Sequence, residues 1–158
     1  MTIGIRHALH RISLVPEFNV AGFGFLLNLP WEFLQAPFFE GLPTKPHWEA
    51  VQLCTLAAVG DAAMLVAAFW ITAAAARSRS WILRLAGSQV ALFMSIGLAL
   101  TVVFERLATG ILGRWTYSDA MPILPAVGVG ILPLIQWIML PPVLLWLVRR
   151  QLTAPPAT

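Results

Sequence analysis

Apolar side chains run along this chain in four long blocks, and polar residues interrupt those blocks only at a few places. The blocks cover about residues 18–39, 48–76, 81–104 and 123–148. Each is long enough for the ~20 residues that a helix needs to cross the hydrocarbon of a bilayer. Backbone groups find no water there, so helices are the expected form. The pattern predicts an all-α integral membrane protein: a four-helix bundle whose spans contain prolines and are kinked by them. Ahead of the first block, residues 1–16 place Ile5, Leu9 and Ile12 on one helical face. Arg6, His10 and Arg11 lie towards the other, which predicts an amphipathic cytoplasmic segment on the membrane surface. The tail 151–158, ending in TAPPAT, is expected to be disordered. Residues 17–150 then form one compact domain. A basic segment before an apolar one also suits a cleaved leader. However, Glu32 interrupts the apolar region and LQA precedes Pro37 without an A-x-A pattern, so no cleavage is expected.

The second block is rich in small residues: Ala57, Ala58, Gly60, Ala62, Ala63, Ala67 and Ala68. Small residues let helix backbones approach closely in lipid, so this helix is expected at the centre of the bundle.

Composition and charge sharpen the picture. With 59% hydrophobic and 11% charged residues, the chain cannot cover a water-facing surface; soluble domains carry about 25% charged residues. Four spans put Arg6, Arg11, Arg77, Arg79, Arg84, Arg149 and Arg150 on one side, and Lys45, Arg106 and Arg114 on the other. That bias places both termini in the cytoplasm, and the expected location is a bacterial cytoplasmic membrane. Trp48, Trp81, Trp115, Tyr117 and Trp146 fall near predicted span ends, where interface aromatics belong. The lone Cys54 allows no disulfide framework. His7, His10 and His47 do not converge with other ligands, so no metal is expected. No phosphate-cradling glycine loop and no basic nucleic-acid module is present, and no cofactor or nucleic-acid partner is expected.

The candidate chemistry lies in the polar residues inside the blocks. Asn28, Glu32 and Gln35 are spaced i, i+4, i+7 and share one helical face. Pro30, within that stretch, removes a helical hydrogen bond one turn earlier. A carboxyl group in such a span is costly unless it is paired or neutral, so Glu32 is expected to be paired or to carry a proton. Asp61 lies near the middle of the second span, with Cys54 two turns earlier on the same face. Glu49 and Gln52 lie towards the outer end of that span. The third span carries Gln89 and Ser95 and ends at Glu105–Arg106, and the fourth carries Gln136 and Trp137. VGVGILP (127–133) is a candidate break in the fourth span, with an ordinary proline kink as the alternative. By depth, these groups predict a polar pocket open to the outer side, with its floor near Asp61. GRWTYSDAMP (113–122) is an outer loop that could fold over it. Plainer roles are also open. Glu49 suits the first turn of a helix, and Glu105 suits an ion pair with Arg106 or Arg114. Asn28, Gln35, Asp61 and Gln136 suit hydrogen bonds between helices.

The segment NLPWE (28–32) resembles the Asn-x-x-Trp-Glu motif of small integral-membrane terpene cyclases of fungal meroterpenoid pathways. In that family a membrane-embedded Glu and an Asp are thought to protonate an epoxide or alkene. The resemblance covers Asn28–Glu32 and implies an acid role for Glu32. Those enzymes look like longer, seven-span proteins with their Asp in a late span, so Asp61 is not carried over. The chain is also similar in span count, with one Glu in its first span, to small multidrug transporters. The segment 113–136 looks like those of small bacterial membrane proteins.

Together these features predict acid catalysis on an isoprenoid or lipid, a cyclisation or isomerisation. Glu32 would donate the proton, with Asn28 and Gln35 orienting it. Asp61 would stabilise positive charge, and Trp31 and Trp137 would form aromatic walls. Gln52, Glu105 and Gln136 complete the expected substrate-binding set. A proton-coupled transporter and an accessory subunit of a larger membrane complex remain alternatives, as does a homo-oligomer. The expected partners are the lipid bilayer and an apolar small molecule.

Overall fold

The computed structural model describes residues 15–154. Most of the amphipathic segment and the last residues of the tail lie outside the described residues. The described chain is helical apart from its loops and one two-stranded hairpin.

Helix α1 (Pro16–Gln35) starts with Pro16 at its first position, where the fixed φ suits a helix and the missing N–H costs nothing. Glu17 in the first turn faces the positive end of the helix dipole. Pro30 sits inside this helix, which passes into a 3-10 turn at Ala36–Phe38. Helix α2 (His47–Ala75) follows Pro46 and carries Glu49 in its first turn, as expected. Its end is a Schellman motif: Ser78 N donates to Ala73 O and Arg77 N to Ala74 O, with Arg77 at φ 49°.

The third block divides. Helix α3 (Trp81–Arg84) is a single turn, stopped by Leu85 in the left-handed conformation. Helix α4 (Gly87–Arg106) begins two residues later and continues as a π turn, Leu107–Ile111. The fourth block divides too. Strands β1 (Ile123–Leu124) and β2 (Val129–Gly130) pair antiparallel around a turn with Gly128 at φ 63°. Helix α5 (Ile131–Thr153) starts only then. VGVGILP is therefore not a break within a helix. Its glycines close a hairpin, and Pro133 falls in the first turn of α5. At the other end, α5 runs to Thr153, beyond the expected end at residue 148.

Three helices, Gly87–Ile111 included as one, are long and apolar enough to cross a membrane. Helix α1 is not among them, because Glu17, Asn19, Asn28, Glu32 and Gln35 dilute it. Each long helix packs on two others: α1 on α2 and α5, and α4 on α2 and α5. The result is a ring of four. Helix α2 is thus a member of the ring and not its centre. Ala58, Ala62 and Ala68 are buried, whereas Gly60, Ala63 and Ala67 face outward. The close approach occurs at Gly24, where an added Cβ would lie 2.9 Å from Leu65 Cδ1 and 3.6 Å from Ala62 Cα.

The apolar core lies towards the arginine-bearing end. Phe69, Trp81 and Phe93 stack there, with ring centroids 5.7 and 5.6 Å apart. Val20, Leu144 and Val148 fill around them. An ion pair of 2.7 Å between Arg79 and Glu17 ties this end of α1 to the α2–α3 turn.

Candidate functional site

The polar residues of α1, α2 and α5 meet inside the ring. Asn28, Glu32, Gln35 and Gln136 are buried, and Asp61 is half-buried. The i, i+4, i+7 spacing does what helical geometry requires: one face of α1 turns all three polar side chains inward. Helix α5 supplies Gln136 from the opposite wall. Its Nε2 donates to Asn28 Oδ1 at 2.6 Å, to Asp61 Oδ2 at 2.8 Å and to Glu32 Oε1 at 3.3 Å. An amide nitrogen has two hydrogens, so the two shorter contacts take them. Glu32 Oε1 is served instead by Gln35 Nε2 at 2.8 Å. Gln35 is held in turn by Trp31 Nε1, 3.2 Å from its Oε1.

The deciding feature is the convergence of the two acids on one amide. Gln136 Nε2 lies 3.3 Å from Glu32 Oε1 and 2.8 Å from Asp61 Oδ2, so both carboxyls sit side by side inside the ring. Two carboxyls so close in a buried place repel each other if both are charged. Sequence spacing within α1 could not show this, because Asp61 arrives from another helix. Cys54, two turns before Asp61 on the same face of α2, adds a link that the sequence did not indicate. Its Sγ donates to the Glu32 backbone carbonyl at 3.8 Å, tying α2 to the last turn of α1.

The chain has no described match among known proteins: no protein family fits it, and comparison with curated proteins and with solved structures finds nothing similar. The site must be read from its own geometry.

The remaining expected residues divide. Gln52 is exposed and takes no part in the cluster. Helix α2 turns it outward, since it lies off the face shared by Cys54 and Asp61. Trp137 is buried, but its ring lies against Gly97 of α4 and belongs to the apolar core. Trp31 is half-buried beside Gln35. Glu105 forms a second polar group. Tyr117 Oη donates to its Oε2, as does Trp115 Nε1 at 3.3 Å. Neither Arg106 nor Arg114 pairs with it. Arg106 instead donates to Val127 O at 3.4 Å, on the hairpin. Glu105 is near enough for its charge to act on both Glu32 and Asp61.

Sequence reasoning took Tyr117 and Trp115 for interface aromatics only, and both hold Glu105. The loop that carries them is fixed to the end of α1. Glu40 N donates to Thr116 O at 2.9 Å, and Ser118 N to Phe38 O at 3.0 Å. Burial and the Glu105 hydrogen bond push the Tyr117 phenol well above its ordinary value of 10.0. The cluster's side chains fill its centre and satisfy one another, and the two described cavities lie at the arginine-bearing end. Among the described residues no group of His, Cys, Asp and Glu suits a metal ion.

Proposed function

We propose that this chain is an integral membrane four-helix bundle of a bacterial cytoplasmic membrane. Its Glu32–Asp61 pair acts as the acid in cyclisation or isomerisation of an apolar or amphipathic small molecule, an isoprenoid or lipid. The observation that carries the reading is the placing of two carboxyls side by side inside the ring, both within reach of Gln136 Nε2. A structural joint between helices needs only amides such as Asn28 and Gln136. A second acid beside the first adds a large desolvation cost, and that cost is expected where proton chemistry uses it.

Membrane residence is supported by the reversed distribution of polarity. Leu26, Leu34, Leu56 and Ile111 are 62%, 72%, 67% and 81% exposed, while Asn28 and Gln136 are each 2% exposed. Water would penalise that arrangement and lipid favours it. Helix α1 crosses with the other three because its polar face is turned inward and its outer face is apolar. The arginine-bearing end then lies in the cytoplasm.

In this reading the pair lends its proton to an alkene or epoxide. Asp61 presents it, being the more exposed member. The carboxylate left behind stabilises the developing cation. Loss of a proton from the cation returns it to the pair, so the acid ends as it began. Gln136 holds Asp61 and Gln35 holds Glu32 in place throughout. A proton-coupled carrier is less well supported, because its acids must be reached from both faces. Among the described residues, no ionisable side chain lies between Asp61 and the arginine-bearing rim.

The test is mass spectrometry of organic extracts from gently purified wild-type, Glu32→Gln and Asp61→Asn proteins. An isoprenoid or lipid species enriched with the wild type and altered in both variants is the expected result. Identical extracts holding only bulk phospholipid would remove the catalytic reading and favour an accessory subunit.

A further inference from the structure

The arginine-bearing end contains a cavity of about 240 Å³ lined by Trp70, Ala73, Ala74, Arg77, Ser78 and Arg79. Its lining joins two kinds of group. The last turns of α2 supply an indole and two small alanines, and the turn that follows supplies two guanidinium groups and a hydroxyl. Arg79 lies over the Trp70 ring, 5.1 Å from its centroid. Arg79 also binds Glu17, which fixes its position and neutralises much of its charge. Arg77 has no such partner among the described residues.

The backbone of Arg77 adds an independent observation. It occupies the residue after the α2 cap at φ 49°, the left-handed position that closes a Schellman motif. Glycine is the usual residue there, because a side chain strains that conformation. A cation there suits the negative end of the α2 dipole, but among the described residues the Arg77 side chain makes no hydrogen bond or ion pair. Its guanidinium therefore stays available to an anion at the cavity that it lines.

We propose that this cavity binds the phosphate of an anionic phospholipid, with Arg77 and Ser78 at the phosphate and Trp70, Ala73 and Ala74 against the glycerol and first acyl carbons. The lipid source is favoured over a soluble phosphate by the wall: Trp70 lines the cavity and is 45% exposed, and the next residue, Ile71, is 49% exposed, so apolar outer surface adjoins the cavity. Basic sites beside helices on the cytoplasmic side suit anionic headgroups. The proposal rests on the membrane placement and the cytoplasmic orientation above, and not on the acid pair.

The experiment uses the full chain in nanodiscs of equal parts phosphatidylcholine and phosphatidylglycerol, followed by native mass spectrometry of retained lipid. Wild-type protein is expected to keep one phosphatidylglycerol in preference to phosphatidylcholine. Arg77→Gly is the informative variant, since it relieves backbone strain. It is expected to leave the thermal midpoint unchanged or higher while lowering phosphatidylglycerol retention about fivefold, the factor expected for one arginine at a membrane surface. Arg114→Gln, at the opposite end, should retain lipid as the wild type does. Equal retention of the two lipids, retention unaffected by Arg77→Gly, or displacement by millimolar inorganic phosphate would each overturn the site. Failure of the chain to enter nanodiscs at all would overturn the membrane placement with it.

Discussion

Gln136 shows how one side chain can organise a buried site. Its two amide hydrogens go to Asn28 on α1 and Asp61 on α2, so a single residue of α5 joins three helices. The glutamine was legible as a polar residue in an apolar span, but its partners were not: they are 108 and 75 positions away in the chain. Tyr117 teaches the same lesson at the neighbouring group. It is the chain's one tyrosine, so an ultraviolet titration reports on it alone. Burial and the Glu105 hydrogen bond hold its proton, and tyrosinate should appear only well above pH 10.0. Glu105→Gln removes the negative charge and leaves only a weaker, neutral acceptor, and should move the titration back down. The unfolded chain gives up this proton near its ordinary value and the folded chain does not. Stability should therefore fall as pH rises above that value. A Tyr117 that titrates normally in the folded protein would show that the loop does not bury it.

At the scale of elements, the helices follow from their sequences and their ends follow from local chemistry. Pro16 starts α1, Leu85 separates α3 from α4, and Gly128 closes the hairpin. The blocks of hydrophobicity merged α3 with α4, and the hairpin with α5, because apolar content does not record a left-handed residue or a strand pair. Contacts between elements set the packing. Trp137 lies so close to Gly97 that any Cβ there meets the ring. Gly97→Ala gains up to about 1 kcal/mol of helix propensity. Overpacking a buried ring costs about 1–3 kcal/mol, and the second term should win because Trp137 is 3% exposed with no room to move. Gly60→Ala is the matched control: nothing lies within 4 Å of its added Cβ, so only the propensity gain should appear. Detergent unfolding midpoints of the two variants check this, and a stabilised Gly97→Ala would show that the α4–α5 contact is looser than described.

The whole molecule is a ring of four helices with an apolar outside and a polar centre. Helix α2, 29 residues long, extends about 43 Å at about 1.5 Å per residue, more than the ~30 Å hydrocarbon core. In the proposed membrane placement its ends reach both surfaces. Two arginine–tryptophan pairs, Arg79 on Trp70 and Arg150 on Trp146, mark one surface. Lys45, Arg106 and Arg114 mark the other. The orientation can be read with a membrane-impermeant thiol reagent on intact cells. Arg114→Cys is expected to label from outside and Arg149→Cys only after the cells are opened. The reverse pattern would invert the molecule and move the arginine-lined cavity to the outer leaflet.

Several properties were settled by the sequence alone. Hydrophobic block length and the scarcity of charge predicted long apolar helices, and three of the helices are long and apolar enough to cross a membrane. The spacing of Asn28, Glu32 and Gln35 put them on one face, because helical geometry is local. Tertiary structure decided everything that depends on which helices are neighbours. It joined Asp61 to Glu32 and gave Gln136 its partners. It turned Gln52 outward, assigned Trp137 to the core and attached Tyr117 to Glu105. Those outcomes depend on the rotation of each helix about its axis and on the order of the ring. Both are fixed by packing between residues far apart in the chain, and periodicity within one segment carries no record of them.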